Sequence, residues 1–146
     1  MSQIVIISGP PGAGKSAVAE ALCERYDRTV HMETDQLYAS IRMGFISPWK
    51  PGSMRQNLMV SRAAARAATA FAQEQYGVFI DGVIGPHLLP EYVDEMQRAR
   101  VPVHFVLLLL LFPSIWISVA QSIECLTLQF TPALLLRARL KRIQYP

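Results

Sequence analysis

The sequence predicts an α/β fold of three layers, in which a parallel β-sheet is covered by helices on both faces. Short apolar segments alternate with longer helix-like segments along the first hundred residues, and this alternation is typical of βαβ units. A length of 146 residues suits one domain with a substantial core and is short for two. A hydrophobic content of 51% excludes a disordered chain.

The first half of the chain predicts two strands and two helices in alternation. Residues 4–8 form a β-branched apolar run, which is typical of a buried parallel strand. A helix is expected over 15–26 and a second short strand over 29–33. Residues 35–43 predict one or two further helical turns, which end before a glycine.

The next segments continue the same alternation. The longest predicted helix begins at Ser53, where Gln56 three residues later predicts a capping box. A third buried strand follows at 78–80, then a helix near 90–100 and a fourth strand at 103–108. Strands that alternate with helices in this way predict a parallel rather than an antiparallel sheet.

The distribution of charge argues against a nucleic-acid partner. Residues 1–108 carry ten Lys/Arg and ten Asp/Glu, so the net charge of +3 comes from the C-terminal tail. Four basic residues there outweigh Glu124, namely Arg137, Arg139, Lys141 and Arg142. Nucleic-acid binding needs a broad basic surface, whereas a short basic cluster is typical of a solvated helix end.

Cysteine usage and the N-terminus predict a cytoplasmic protein. Cys23 and Cys125 are isolated and lack CxxC spacing, which suits a reducing compartment and argues against zinc. The N-terminal MSQIVIISG has no basic region and no cleavage site. Its apolar run of five residues is too short for a signal peptide.

The strongest functional signal is GPPGAGKS, which matches G-x-x-x-x-G-K-[ST] between a predicted strand and a predicted helix. The segment comprises Gly9, Pro10, Pro11, Gly12, Ala13, Gly14, Lys15 and Ser16. Its glycines let the backbone wrap a phosphate, which backbone N–H groups and the helix N-terminus then hold. Lys15 is expected to contact the β- and γ-phosphates, and the Ser16 hydroxyl to bind Mg²⁺. The segment therefore predicts ATP and Mg²⁺ as ligands.

Acidic residues are predicted at strand ends beside this segment. Asp81 closes the apolar strand VFID and can orient metal-bound water opposite Ser16; alternatively, it caps the following turn. Asp35 follows the second strand and can accept the proton of a substrate hydroxyl. Alternatively, Asp35 only stabilises the first turn of a helix. Glu33 is a second candidate for the base, and the loop GVIGPH after Asp81 is expected to line the acceptor pocket.

Over residues 2–108 the chain resembles P-loop small-molecule kinases. IVIISGPPGAGKSAVAEAL is followed in order by HMETDQLY, SPW and VFIDGVIGP. This order is similar to the chloramphenicol phosphotransferase-like group and, more distantly, to shikimate and gluconate kinases. The resemblance implies a P-loop NTPase fold with strand order 2-3-1-4. It also implies transfer of the γ-phosphoryl group of ATP·Mg²⁺ to a hydroxyl of a small molecule.

The resemblance further implies roles for particular residues. Lys15 would act in transfer, Asp35 as general base or hydroxyl ligand, and Asp81 as Mg²⁺ or water ligand. Arg42, on the same helical face as Asp35, matches the position of a substrate-gripping arginine; alternatively, it is an exposed helix arginine. The acceptor itself is not predicted, and neither is an oligomeric state.

After residue 108 the resemblance is lost, so the chain divides into a kinase-like core, 1–108, and an atypical apolar segment of the same domain, 109–146. Between 109 and 136 only Glu124 is charged, so the lid arginines of such kinases are not recognisable and a fifth strand is doubtful. The interpretations are a membrane segment, a divergent soluble half with helices near 114–127 and 132–143, or a lost reading frame. Pro113 and the short apolar length disfavour the membrane segment. An ATP-binding protein or weak ATPase is therefore the alternative function.

Overall fold

The computed structural model describes residues 2–110, 123–129 and 137–142. Within these ranges the chain forms six strands and four helices. The strands are β1 (Gln3–Ser8), β2 (Thr29–Glu33), β3 (Gly77–Gly82), β4 (Val103–Leu110), β5 (Ile123–Gln129) and β6 (Arg137–Arg142). The helices are α1 (Lys15–Cys23), α2 (Thr34–Ala39), α3 (Met54–Gln73) and α4 (Leu89–Arg98).

The first four strands form a parallel sheet in the order β2-β3-β1-β4. This arrangement confirms the predicted fold class and the predicted strand order. Since β1 lies between β3 and β4, the carboxyl ends of three strands surround the segment that leaves β1. In open parallel sheets, ligands bind outside these carboxyl ends.

One face of the sheet packs against α3 and α4. Ile4, Ile6 and Ile80 point to this face and are almost fully buried. The facing side of α3 carries small residues that are 0% exposed, namely Ala64, Ala65, Ala68 and Ala72. Because alanine has only a methyl side chain, the helix backbone can approach the strands closely. On α4, Tyr92 and Met96 fill the space that remains.

The opposite face of the sheet packs against α1. Val5, Ile7 and Phe79 alternate with the residues of the first face and form a second apolar cluster with Val18 and Ala19 of α1. Strand alternation with period two separates the two faces. Helices on both faces make the three layers that the sequence predicts.

The capping box predicted at the start of α3 is wrong. Ser53 precedes the helix in a helical conformation and makes no side-chain cap bond; its hydroxyl instead donates to the carbonyl oxygen of Pro48 at 2.7 Å. Gln56 reaches the backbone of Ile46, donating to its oxygen at 2.6 Å and accepting from its N–H at 2.9 Å. Both side chains therefore fasten the preceding loop to α3 rather than cap the helix.

The C-terminal part of the sheet differs from the expected helices. β5 pairs antiparallel with β4, and β6 pairs antiparallel with β5. Residues 123–129 and 137–142 are therefore strands where helices near 114–127 and 132–143 were predicted, and the doubtful fifth strand is present. An open edge of β4 presents unpaired backbone groups that an added strand can satisfy. The rest of the predicted helices lies outside the described residues.

Within the described ranges, no helix is both long and apolar enough to cross a membrane. Residues 111–122, where most of the charge-free run lies, are outside those ranges.

Candidate phosphate-binding site

The segment GPPGAGKS lies between β1 and α1, as predicted, and its geometry depends on Gly9 and Gly14. Gly9 is buried with a φ of +154°, and a Cβ there would overlap the carbonyl oxygen of Leu108 on β4. Gly14 has a φ of 78° immediately before α1 begins, a left-handed conformation that side chains disfavour. The loop is thus packed against the sheet at one end and turned sharply into the helix at the other.

Lys15 lies against the loop that precedes it. Its Nζ donates a hydrogen bond to the carbonyl oxygen of Pro10 at 3.1 Å. Lys15 is also the first residue of α1, so its charge adds to the positive end of the helix dipole. Backbone N–H groups, the helix end and an ammonium group together favour an anion at this position.

The two predicted metal ligands, Ser16 and Asp81, are in direct contact. The Ser16 hydroxyl donates to Oδ2 of Asp81 at 2.5 Å, although the residues are 65 positions apart in the chain. Asp81 is 3% exposed at the end of β3. Hydroxyl and carboxylate oxygens are the ligands that Mg²⁺ prefers, and Mg²⁺ usually keeps several waters beside one or two protein ligands.

The donor set around Asp81 therefore fits a hydrated Mg²⁺ bound together with phosphates. In the described part of the chain, no group of three or more His, Cys, Asp or Glu side chains is arranged to hold a metal by itself. A site of this kind needs a phosphate ligand to complete it.

The carboxylates of β2 and α2 lie at the same edge of the sheet. Glu33 is the register partner of Asp81, and its Oε1 accepts a hydrogen bond from Gln36 at 2.9 Å. Asp35 is exposed in the first turn of α2. Asp35 and burial together raise the pKa of Tyr38, with burial the larger cause. The structure thus places Asp35 at the predicted edge of the sheet. Both interpretations, a carboxylate that stabilises the first turn of α2 and a general base, stay predictions.

The predicted placement of Arg42 is wrong. α2 ends at Ala39, so Arg42 does not share a helical face with Asp35 but lies exposed in the following loop. Just after the helix end, the Ser40 hydroxyl donates to the oxygen of Leu37 at 2.6 Å. Any contact of Arg42 with a substrate would come from a loop rather than from α2.

The segment after β3 is joined to the end of β1. The buried Ser8 hydroxyl donates to the carbonyl oxygen of Ile84 and accepts from its N–H, each at 3.0 Å. Farther along, His87 is exposed. The loop predicted to line the acceptor pocket is therefore attached to the strand that carries residues 9–16, the candidate phosphate-binding loop that is called the phosphate loop below.

Two polar residues near the site have no clear signal in the sequence. Asn57 is buried on α3, where its amide donates to the oxygen of Pro48 at 2.9 Å and its oxygen accepts from the Tyr38 hydroxyl at 3.2 Å. His31 lies on β2 with Nε2 3.4 Å from Oδ1 of Asp81. Strand alternation together with a parallel β2–β3 register would have placed His31 on the Asp81 face, but the register is not readable from one sequence.

The fold is shared with solved structures of kinases. APS kinase from Mycobacterium tuberculosis has a TM-score of 0.60 and 19% identity, over 73% of this chain and 74% of that chain. A second structure of it, in complex with AMPPNP and APS, is matched over 61% of its chain. The tunicamycin resistance protein of Deinococcus radiodurans has a TM-score of 0.56 and 20% identity, over 73% of this chain and 62% of that protein's chain. A sugar kinase from Janibacter has a TM-score of 0.52 and 18% identity, over 73% of this chain and 60% of the sugar kinase chain.

The chain therefore has the α/β fold of these structures, two of which are named as kinases, the APS kinase and the sugar kinase. The matched region is less than two thirds of the tunicamycin resistance protein and of the sugar kinase. The chain matches no protein-family profile. At these identities the likeness concerns the fold, and the narrower resemblance to the chloramphenicol phosphotransferase-like group stays a prediction.

Proposed function

We propose that the protein is a phosphotransferase that moves the γ-phosphoryl group of ATP to a hydroxyl of a small molecule, with Mg²⁺ as cofactor. The observation that carries this proposal is the contact between Ser16 and Asp81 directly beside the phosphate loop. A chance glycine-rich turn would have no reason to place a buried carboxylate of a distant strand against its last hydroxyl. The P-loop kinase fold of the neighbours supports the same reaction class.

Residues of the phosphate loop, including Ser16, would together with Asp81 bind the phosphates of ATP and the Mg²⁺ ion. Backbone N–H groups of the loop 9–14 and the start of α1 would bind the β-phosphate, and Lys15 would bridge the β- and γ-phosphates. Ser16 and Asp81 would hold Mg²⁺, Ser16 as a ligand and Asp81 as a ligand or through water. When bound, Mg²⁺ supplies positive charge that offsets the charge developing on the phosphate oxygens.

Asp35 would act on the acceptor side. Its exposed carboxylate stands at the carboxyl edge of the sheet, where it would accept the proton of the acceptor hydroxyl. The hydroxyl oxygen forms a bond to the γ-phosphorus, the bond from the γ-phosphorus to the bridging oxygen breaks, and ADP leaves with that electron pair. Arg42, in the exposed loop after α2, would hold the acceptor. Glu33 is less suited as base because Gln36 already occupies one of its oxygens.

The acceptor would be a small molecule rather than a macromolecule. The printed names of the structural neighbours refer to APS, tunicamycin resistance and sugars, so the fold alone selects no acceptor. The sequence resemblance to the chloramphenicol phosphotransferase-like group favours an antibiotic hydroxyl as the first class to test. Sugar acids, nucleosides and peptidoglycan sugars form the rest of the panel.

Two variants separate nucleotide binding from transfer. Lys15→Ala should weaken binding of an ATP analogue and abolish ATP consumption, whereas Asp35→Asn should bind the analogue normally and lose transfer. Lys50→Ala is the matched control, since Lys50 is an exposed lysine outside the phosphate loop. Consumption of ATP is measured against the acceptor panel. Unchanged phosphorylation by Asp35→Asn would refute the assignment of Asp35 as general base. Unchanged analogue binding by Lys15→Ala would refute the assignment of the phosphate loop as the nucleotide site.

A second candidate function is an ATP-binding protein or weak ATPase. The absence of charged residues other than Glu124 between 109 and 136 favours it, because a kinase lid uses arginines to stabilise the transferred phosphoryl and to exclude water. ADP release that does not change across the acceptor panel would support this function. Acceptor-dependent ADP release would support the kinase.

A further inference from the structure

His31 is an unexplained polar group in the wall of the candidate site. It lies on β2 with a side chain only 17% exposed. Its Nε2 is fully shielded from solvent and has no hydrogen-bond partner in the part of the chain that the structure describes. Buried polar atoms are nearly always hydrogen-bonded, and an unsatisfied one costs about 1–3 kcal/mol. A role for this atom is therefore expected.

The polar atom facing His31 belongs to the proposed metal ligand. Nε2 lies 3.4 Å from Oδ1 of Asp81, while Oδ2 of the same carboxylate accepts from Ser16 at 2.5 Å. The two oxygens of Asp81 thus face different partners, one on β2 and one on α1. A carboxylate held at both oxygens has a fixed plane, and a carboxylate held at one oxygen can rotate about its Cβ–Cγ bond.

The sheet explains how these groups meet. In the parallel β2–β3 register, His31 pairs with Phe79 and Glu33 pairs with Asp81. His31, Phe79 and Asp81 belong to the sheet face that packs against α1, since Phe79 is part of the cluster around Val18. Among the neighbours on this face, the Asp81 carboxylate is the group that lies closest to the ring nitrogen, with Oδ1 at 3.4 Å.

We propose that His31 is a positioning residue for Mg²⁺ binding: its Nε2–H donates to Oδ1 of Asp81 and fixes the carboxylate with Oδ2 toward Ser16. The two atoms are 3.4 Å apart, and we expect this distance to shorten when nucleotide and Mg²⁺ bind, because hydrogen bonds of this kind often tighten in the liganded site. Partners that orient metal ligands typically contribute about 10–100-fold to metal affinity or activity. This inference rests on the proposed function, because it assigns His31 to the same Mg²⁺ site.

The test compares His31→Leu with His31→Gln. Leucine keeps the volume and removes the donor, whereas glutamine places an amide N–H at a similar reach. The affinity of an ATP analogue is measured with Mg²⁺ and again with EDTA. We expect His31→Leu to lose about 10-fold in the Mg²⁺ measurement and nothing in EDTA, and His31→Gln to recover most of the loss. His104→Leu is the matched control and should behave as the wild type. His104 lies at the start of β4, away from the carboxyl ends of the strands where the site is.

A second measurement examines the contact without nucleotide. Nitrogen-15 spectra of the histidine ring should show the proton on Nε2 of His31, and Asp81→Asn should shift this signal. A proton on Nδ1 alone, or a signal that Asp81→Asn leaves unmoved, would overturn the proposal.

The binding results separate the two ideas. Wild-type Mg²⁺-dependent binding that His31→Leu retains would overturn the role of His31 alone. Equal losses with Mg²⁺ and EDTA, or no recovery in His31→Gln, would also overturn it by indicating a purely structural effect. A wild-type protein without Mg²⁺-dependent binding would overturn both the proposed function and this inference.

Discussion

Replacing Gly9 by alanine should destabilise the protein more than replacing an exposed glycine that also has a positive φ. A methyl group at Gly9 would overlap the backbone oxygen of Leu108 and approach the Leu108 Cβ to 3.3 Å. Because the overlapping atom belongs to the backbone of β4, no side chain can turn aside to make room. Either the phosphate loop or the end of β4 must move.

The expected magnitude has two parts. The φ of +154° at Gly9 is rarely adopted by other residues, and such strain costs about 1–3 kcal/mol. Inserting a methyl group into a packed contact costs about another 1–3 kcal/mol. Gly9→Ala should therefore lower the free energy of unfolding by about 2–6 kcal/mol.

Gly52→Ala supplies the matched control. Gly52 has a φ of +87°, and nothing lies within 4 Å of a Cβ built there, so only the left-handed strain of about 1–2 kcal/mol applies. Urea unfolding of both variants gives the two free energies, and binding of an ATP analogue to folded Gly9→Ala reports on the loop. A Gly9→Ala variant no less stable than Gly52→Ala would refute the close approach of the loop to β4.

Three further predictions concern the surroundings of the site. Gly82→Ala should destabilise the protein because its methyl group would overlap the Thr34 hydroxyl, and Thr34→Ala should relieve most of that loss in a double-mutant cycle; additive losses would contradict this contact. Burial raises the pKa of Tyr92 to about 12 from 10.0, so the neutral folded form contributes stability that is complete below pH 10 and is lost as pH rises towards 12, by roughly 2–3 kcal/mol. Tyr92→Phe should lack that alkaline loss in unfolding measured across this range, and an identical pH profile would refute it. Asn57→Ala should cost about 1–3 kcal/mol in urea unfolding because it leaves the half-buried Pro48 carbonyl and Tyr38 hydroxyl without their partner, and more than Gln56→Ala, whose partner Ile46 is exposed; the reverse order would contradict this network.

Periodicity and one motif were sufficient to predict the parallel core. β1 and β3 are buried on both faces, and they and β4 read as largely apolar runs, which is the pattern of a parallel sheet. The position of the phosphate loop was predictable because its glycines are required locally. Gly9 and Gly14 adopt positive φ angles that other residues rarely adopt. The position of Asp81 at the end of a buried strand was predictable because an acid that ends an apolar strand is itself a local pattern.

The features that escaped prediction depend on side chains meeting across the fold. Gln56 has the spacing of a capping box, yet the approach of Ile46 offers it better partners. α2 ends at Ala39, earlier than the sequence predicts, and this leaves Arg42 outside the helix. His31 requires the β2–β3 register, and β5 and β6 require knowledge that β4 has an open edge.

The reciprocal bonds between Ser8 and Ile84 have a kinetic implication. They join the strand that delivers the phosphate loop to the loop proposed to receive the acceptor, through two buried hydrogen bonds. In the proposed kinase these bonds would hold the floors of the donor and acceptor subsites together, so the distance between donor and acceptor would be set before either molecule arrives. Closure of the site would then serve to exclude water rather than to bring the reactants together.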